Sequence, residues 1–298
     1  MHEYMENVTF RLFRVFRGCR FCDELLPMRF NHLCMFAVLL LAGTCRQQSS
    51  GAETISVQKY AKSATYSLIG VDPETGVCGA VVASKYPAVG RVVPYVRAGV
   101  GAFCTQHYHV PEWGEPALDM LARGTPPEGV LRNLLRDDAR REERQLAIID
   151  MSGRAAVHNP TAAPPDSRYW GAMTGRFYCC QGNTLTGREV IVAMARSYEE
   201  TEGSVADRLM AALIAADCAG GDHRGRLAAG IRVARRGVEG YWLELYVDDS
   251  EDAVVDLARK YAELEHDAKG EWAGGQLPFR HPCPQRPTPT PPPSGKNP

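Results

Sequence analysis

Thr65 is the residue whose type and position best suit covalent chemistry. It opens the alternating stretch TYSLIGV, which leads into a turn-forming sequence, DPETG, at 72–76. If a threonine becomes the first residue of a mature chain, its hydroxyl can attack an amide carbonyl while its own amino group accepts the proton. An α-amine suits this task because a pKa of about 7.7–8.0 leaves part of it neutral near physiological pH. Lys85 is the candidate cation, since a nearby positive charge lowers the pKa of an amine.

A longer stretch of the sequence resembles a known family. Residues 65–106, which read TYSLIGVDPETGVCGAVVASKYPAVGRVVPYVRAGVGAFCTQ, are similar to the opening of the bacterial family called domain of unknown function 1028. The similarity continues in WG at 113–114, RQL at 144–146, QGNTL at 181–185 and GGDHRGR at 220–226, so it covers roughly residues 65–266. The resemblance implies the fold of the N-terminal-nucleophile hydrolase superfamily. It implies no established activity, because fold alone does not determine function.

The resemblance also assigns roles to individual positions. Thr65 occupies the family's leading threonine, and Ser84 and Lys85 occupy its Ser-Lys pair. Asn183 falls in the family's Gln-Gly-Asn motif, where its amide, or backbone donors near 101–106, would hold the oxyanion. The predicted catalytic residues are therefore Thr65, Lys85 and Asn183, and the predicted substrate-binding residues are Ser84, Gln106, Asp222 and Arg224.

Each of these positions also has a purely structural interpretation. Thr65 is a good strand former, and Lys85 could be a solvated charge at a strand end. Asn183 lies between a glycine and a threonine and could simply satisfy a turn. Asp222 and Arg224 follow two glycines, so a loop held by a salt bridge competes with an anion-binding site.

Two other functions compete with a hydrolase that acts on a small or peptide-like amide. A non-catalytic exported binding module would keep the fold and lose the reaction, and LAA at 227–229, where the family has Gln-Ser-Ala, favours it. A cysteine-based enzyme would use Cys78 or Cys104, although the sequence identifies no paired histidine. The hydrolase needs a free amine on Thr65, and a signal cut after Ala52 would leave twelve residues in front of it.

The apolar segment LCMFAVLLLAG, which begins at Leu33, predicts export. It is too short to span a bilayer, which takes about 20 residues, but it fits the core of a secretory signal, typically about 7–15 residues. Residues 1–52 are therefore predicted to be a leader with the signal at 28–52. Translation could begin at Met28, in which case residues 1–27 precede the true start codon, or at Met1, which would make the charged leader unusually long. Cys45 could carry a lipid anchor. A secreted or periplasmic location is expected, and it would permit a disulfide whose pair the sequence does not name.

Composition and charge exclude several classes of function. The 298 residues carry a net charge of −1, and the arginines of 132–144 alternate with acidic residues. That pattern predicts a solvated helix face and no nucleic-acid partner. The CxxC at 19–22 has no second pair, and a proline interrupts the spacing of His107, His109 and Glu112, so no metal is predicted. The predicted reaction needs no cofactor.

The pattern between residues 53 and 267 predicts a single α+β domain. Strand-like segments lie at 64–71, 77–84, 92–96, 100–105, 145–150, 154–158, 177–181, 226–235 and 241–247, and helical segments at 115–123, 126–136, 188–201, 205–217 and 251–266. Helix pairs between groups of antiparallel strands predict a four-layer α-β-β-α sandwich of two antiparallel sheets. Residues 268–298 are Pro-rich and predict a disordered tail. No integral membrane span is expected, and sheet edges or helix faces could pair into a homodimer.

Overall fold

The computed structural model describes residues 62–63, 65–264 and 283. The predicted leader at 1–52 and the signal within it lie outside the described residues. So do both predicted domain boundaries and, apart from Cys283, the predicted tail at 268–298.

The described chain alternates between groups of strands and either single helices or pairs of helices. The strands are β1 (Lys62–Ser63), β2 (Thr65–Asp72), β3 (Val77–Ser84), β4 (Pro94–Arg97), β5 (Gly101–Tyr108), β6 (Arg144–Asp150), β7 (Ala155–His158), β8 (Tyr169–Gly175), β9 (Tyr178–Leu185), β10 (Ala228–Ala234) and β11 (Leu243–Val247). The helices are α1 (Val89–Val92), α2 (Gly114–Ala122), α3 (Pro127–Leu135), α4 (Glu189–Glu200), α5 (Val205–Cys218) and α6 (Ala253–Ala262). None of these described helices has the length and hydropathy to cross a membrane.

The strands form two sheets in which every pair is antiparallel. The six-stranded sheet has the order β11-β10-β3-β2-β9-β8, and the five-stranded sheet has the order β1-β5-β6-β7, with β4 also paired to β5. The hairpin of β2 and β3 is centred on the predicted turn, where Asp72 accepts a bond from the backbone N–H of Glu74 at 3.0 Å. Its register places Thr65 opposite Ser84, so the first residue of β2 meets the last residue of β3.

Three separate hydrophobic cores divide the domain into four layers. One core joins α4, α5 and α6 to the six-stranded sheet through side chains such as Leu68 and Leu209. A second lies between the sheets and includes Ile69 and Ala147, and a third joins α2 and α3 to the five-stranded sheet through Phe103. The predicted four-layer α-β-β-α sandwich is confirmed. Because side chains alternate along β2, Thr65, Ser67 and Ile69 share the face toward the other sheet.

A disulfide between Cys218 and Cys283 connects the end of α5 to a residue 65 positions later. Its reduction, or the paired change Cys218→Ser and Cys283→Ser, should lower the free energy of unfolding by about 2–4 kcal/mol, because the cross-link restricts the unfolded chain. Denaturant titration with and without reductant measures this difference. The paired serine variant is the control, since reductant should leave its stability unchanged. An equal loss on reduction in that variant would contradict the assignment.

Candidate functional site

Thr65 begins β2 and is fully buried. Its Oγ1 donates a hydrogen bond to Ser84 Oγ at 3.3 Å, and that oxygen also accepts a bond from the backbone N–H of Tyr86 at 2.9 Å. The structure thus brings the predicted nucleophile together with one predicted substrate-binding residue. In the full chain the nitrogen of Thr65 belongs to a peptide bond, which is not a base.

Four buried polar side chains, here called the amide network, lie beside Thr65: Ser67, Gln106, Gln145 and Asn183. Gln106 connects this network to Thr65. Gln106 Nε2 donates to the Thr65 carbonyl oxygen at 3.2 Å and to Gln145 Oε1 at 2.7 Å. Gln106 Oε1 accepts from Ser67 Oγ at 2.7 Å, and Asn183 Nδ2 donates to Gln145 Oε1 at 2.9 Å. Two of these residues lie on each sheet, so the network ties the sheets together beside Thr65.

The backbone is held in an unfavourable conformation directly after two members of the amide network. His107 follows Gln106 with a φ of 65°, and Thr184 follows Asn183 with a φ of 53°. A left-handed conformation costs a non-glycine residue about 1–3 kcal/mol, and such residues cluster at functional sites. Thr184 Oγ1 also donates to Asn183 Oδ1 at 3.0 Å. The fold thus maintains the orientation of these amides at a cost in backbone strain.

Arg144 fixes the end of β5 next to the network. Its Nη1 donates to the Tyr108 carbonyl oxygen at 2.6 Å, and its Nε and Nη2 donate to the two carboxylate oxygens of Asp138 at 2.7 and 3.0 Å. The Arg144 side chain is only 3% exposed. These hydrogen bonds from Arg144 are the largest cause of the lowered pKa of Asp138.

The change Asp138→Asn should therefore destabilise the protein in a pH-dependent way. A carboxyl whose pKa is lowered on folding stabilises the fold above its unfolded pKa of about 3.9, and this contribution is lost as the pH falls through the lower folded value. We expect a deficit of about 1.5–3 kcal/mol at pH 7 that shrinks below pH 4. Urea titrations across this range measure it. Asp137→Asn is the matched control, because the Asp137 side chain is 93% exposed; a deficit that persists at pH 2 would contradict the prediction.

Lys85 is adjacent to Ser84, but its described hydrogen bond goes to Asp222 rather than to Thr65. Its backbone N–H donates to Asp222 Oδ2 at 3.4 Å, and the side chain is partly exposed. Side chains of consecutive strand residues point to opposite faces, so the position after Ser84 does not share the face of Thr65. The predicted tuning of the amine by Lys85 stays a prediction.

Asp222 and Arg224 form a closed ion pair rather than an open anion site. The Asp222 side chain is fully buried and accepts from Arg224 Nη2 at 3.0 Å and from the Arg224 backbone N–H at 2.9 Å. The same carboxylate accepts from the backbone of Lys85, so it attaches the 220–226 loop to the end of β3. This geometry matches the structural interpretation of the loop, while substrate binding by these two residues stays a prediction.

A second buried charge cluster lies behind the site, on the helix side of β2. Asp217 at the end of α5 accepts hydrogen bonds from Tyr66, at 3.1 Å, and from Arg226. Burial raises the pKa of Asp217 despite the opposing effect of Arg226, and burial also raises the pKa of Tyr66. Because Tyr66 follows Thr65 directly, this cluster fixes the backbone that positions the predicted nucleophile.

The buried thiols do not have the properties of catalytic cysteines. Burial raises the pKa of Cys78 to about 12 and that of Cys104 to about 12. A reactive thiolate requires a lowered pKa and solvent access. Both residues instead belong to the hydrophobic core between the sheets.

The described residues away from Thr65 include an open groove but no metal-binding cluster. Within residues 62–63, 65–264 and 283, no three His, Cys, Asp or Glu side chains are close enough to hold a metal ion. An open groove lies between α3 and β7 and is lined in part by Arg132, Arg136 and His158. None of the predicted site residues lines this groove.

Three residues of the site were not predicted as functional: Ser67, Gln145 and Gln181. Each is a buried polar residue on a strand whose other buried residues are largely apolar. Ser67 lies two positions after Thr65, and Gln181 two positions before Asn183, so both pairs share a face. A polar side chain at an inward position of a strand is the sequence signal that could have identified them.

Gln181 differs from the amide network because both atoms of its amide are buried without a partner among the described residues. An unpaired buried polar group costs about 1–3 kcal/mol. The change Gln181→Met should therefore raise the free energy of unfolding by about 1 kcal/mol or more in urea titrations. Gln145→Met is the matched control and should lower it by at least about 2 kcal/mol, since several bonds are lost. Destabilisation by Gln181→Met would show that its amide has a partner in solution.

Comparison with known proteins identifies the family. A family model described as "Family of unknown function (DUF1028)" matches residues 65–257, which is well over half of the chain. The chain belongs to this family. The DUF1028 match begins at Thr65 itself and includes every predicted site residue.

A solved structure is similar to this DUF1028 chain. The crystal structure of protein SPO2555 from Silicibacter pomeroyi, which carries the same family model, aligns with a TM-score of 0.61 and 29% sequence identity. The alignment covers 66% of this chain and 84% of that chain. No curated protein matches the chain. Family and fold are therefore established, and the reaction has to be argued from the site.

Proposed function

We propose that this DUF1028 protein is an amide hydrolase in which Thr65, once it is the first residue, acts as the nucleophile. The observation that carries the proposal is the position of Thr65. Its hydroxyl contacts Ser84 and its carbonyl oxygen contacts Gln106, at one end of a buried amide network between the sheets. Hydrogen bonds in so dry an environment are strong and fixed, which suits a site that must stabilise developing charge.

In the proposed reaction, Thr65 Oγ1 attacks the carbonyl carbon of the substrate amide, and its proton passes to the Thr65 amine. The amine then protonates the leaving nitrogen as the C–N bond breaks. Water hydrolyses the resulting ester and regenerates Thr65. We keep Lys85 as the proposed source of the positive charge that lowers the pKa of the amine; this role requires its partly exposed side chain to turn toward Thr65 from the opposite face of the strand.

Asn183 is better suited than Gln106 to bind the oxyanion. Gln106 Nε2 already donates to two oxygens, those of Thr65 and Gln145. Asn183 Nδ2 donates to Gln145 alone among the described residues, so its second N–H can serve an incoming oxyanion.

The N-terminal residue of the mature protein tests the proposal. Full-length protein is expressed in a host that exports it, and intact-mass spectrometry identifies the first residue. We expect a mature form that starts at Thr65 and hydrolyses a fluorogenic peptide amide. A terminus at Glu53 or earlier, with no internal cut, would eliminate the hydrolase.

The alternative is a non-catalytic binding module with the same fold. Two observations favour it: the Thr65 nitrogen is in a peptide bond in the full chain, and LAA replaces a polar pair at 227–229. The mass measurement separates the two, because the binding module requires no cut before Thr65.

We also propose that the protein is exported. The Cys218–Cys283 disulfide supports export, since structural disulfides persist in oxidising compartments. Equal amounts of disulfide-bonded protein in the cytoplasmic and exported fractions of an expressing cell would contradict this.

A further inference from the structure

The edge of β5 next to Thr65 is occupied by two residues of this chain. β1 pairs antiparallel with β5, with Lys62 opposite Tyr108 and Ser63 opposite His107. Two positions after Ser63, Thr65 begins β2 in the six-stranded sheet. The bond that precedes Thr65 therefore lies where the chain passes from one sheet to the other.

This part of the β5 edge is short and has defined limits. β6 pairs along one side of β5 at 101–107, and β4 pairs along the other side at 101–104. The backbone N–H of Thr105 donates to the Val93 carbonyl oxygen at 3.2 Å. On the side of β5 that β4 occupies at 101–104, residues 106–108 are therefore the part of the strand that can pair with β1.

Two hydrogen bonds connect the end of β5 to the neighbouring segment at residues 143–144. Arg144 Nη1 donates to the Tyr108 carbonyl oxygen at 2.6 Å, and His107 Nδ1 donates to the Glu143 carbonyl oxygen at 2.6 Å. A fixed strand edge can bind an extended peptide through main-chain hydrogen bonds, with little ordering cost on the protein side.

We propose that the substrate is an extended peptide whose amino-side residues add to β5 in place of β1, so that the following bond reaches Thr65. This inference rests on the proposed function, because it takes Thr65 as the nucleophile. The direction of β1 agrees with the peptide proposal, because the chain runs from β1 toward Thr65. A cut before Thr65 would therefore leave the acyl part on β5, with its new carboxyl group beside the Thr65 amine. The described residues 62–63 and Thr65 thus follow one another in the order that the proposal requires of a peptide substrate.

An incoming peptide would react at the same place with balanced chemistry. Its carbonyl carbon forms an ester with Thr65 Oγ1 as the C–N bond breaks, and the hydroxyl proton leaves with the new amine. Water then releases the peptide acid. The substrate needs two residues that pair with β5 and one more before the cleaved bond, and in this chain that last residue is alanine.

The test uses residues 65–298, which keep the three hydrophobic cores, after near-ultraviolet circular dichroism has verified the fold. The probe is acetyl-Tyr-Ala-Lys-Ser-Ala aminomethylcoumarin amide, the sequence of residues 60–64, compared with acetyl-Ala aminomethylcoumarin amide. We expect kcat/KM to be at least about tenfold higher for the longer probe, from its additional main-chain hydrogen bonds.

N-methylation of the probe supplies a matched control. Neighbouring residues of a strand direct their N–H groups to opposite sides. Either the lysine N–H or the serine N–H of the probe therefore points at β5. Methylation of that nitrogen should lower kcat/KM about tenfold, while methylation of the other nitrogen should leave kcat/KM unchanged. Equal hydrolysis of both amides without a methylation effect would overturn the peptide edge and leave the hydrolase intact.

A binding measurement separates failure of the two proposals. The fluorescently labelled peptide acid is titrated into the Thr65→Ala chain, and its anisotropy is measured for the three methylation states. The peptide acid could bind with the methylation pattern expected for kcat/KM while the chain of residues 65–298 hydrolyses neither amide. That result would support peptide binding at the β5 edge and eliminate the hydrolase. Neither binding nor hydrolysis would overturn both.

Discussion

The change Thr65→Ala, made in a chain that begins at this position, should lower kcat for amide hydrolysis by about 10³-fold or more. Alanine keeps the amino group and the strand but removes Oγ1, the only atom proposed to form a covalent bond with the substrate. The hydroxyl donates a hydrogen bond to Ser84 at 3.3 Å, and the loss of a neutral hydrogen bond of this kind should change the free energy of unfolding by about 1 kcal/mol. Steady-state hydrolysis of the pentapeptide amide and urea titration measure the two effects.

Two matched variants separate chemistry from structure at this position. Thr65→Ser keeps the hydroxyl and the amine and should retain hydrolysis within about 100-fold of the parent. A single glycine placed before Thr65 keeps the hydroxyl but converts the amine into a peptide nitrogen, and it should be as inactive as Thr65→Ala. Full activity of either the alanine or the glycine-extended chain would remove Thr65 from the reaction.

The part of the site that could be predicted is the part carried by contiguous sequence. Thr65 and Ser84 meet because a short turn joins β2 to β3, which fixes the register of the hairpin. Lys85 belongs to the same motif, but a shift of one residue along a strand changes the face. A motif therefore indicates which segment approaches the site and leaves open which of its side chains points inward.

Gln106 and Asn183 are predicted as site residues, but the hydrogen bonds of the amide network could not be predicted, because they depend on sheet topology. Gln106 and Gln145 become neighbours only when β5 and β6 pair, and Asn183 reaches them only when the two sheets stack. The sequence predicts that this strand ends at residue 181, which leaves Asn183 in a turn-like segment. In the structure β9 continues to Leu185, because these polar side chains find partners in the opposite sheet and can be buried.

The missed strands β1 and β8 show the same limit. β8 contains two glycines and is buried only in part, as expected of an edge strand without clear alternation. β1 has two residues, too few to carry any pattern, and its pairing partner lies more than forty positions later. The four-layer architecture was predicted nonetheless, because long apolar strands and amphipathic helix pairs restrict the packing to few arrangements.

The change Asp217→Ala should lower the free energy of unfolding by about 3–5 kcal/mol, which is the usual cost of leaving a buried charge without its partner. The Asp217 and Arg226 side chains are 2% and 10% exposed, so water cannot replace the lost contact. The Tyr66 hydroxyl also loses its acceptor. Urea titration at pH 7 measures the loss, and Tyr66→Phe should cost only about 1 kcal/mol because it removes one hydrogen bond and leaves the ion pair.

The paired change Asp217→Ala with Arg226→Met decides whether the unpaired charge is the cause. Removal of both charges leaves no uncompensated ion, so the double variant should recover at least about half of the stability lost by Asp217→Ala. Tyr66 is covalently adjacent to Thr65, so hydrolysis by the double variant should recover together with its stability. If the double variant is no more stable than Asp217→Ala, the loss arises from packing at the end of α5 rather than from the unpaired guanidinium.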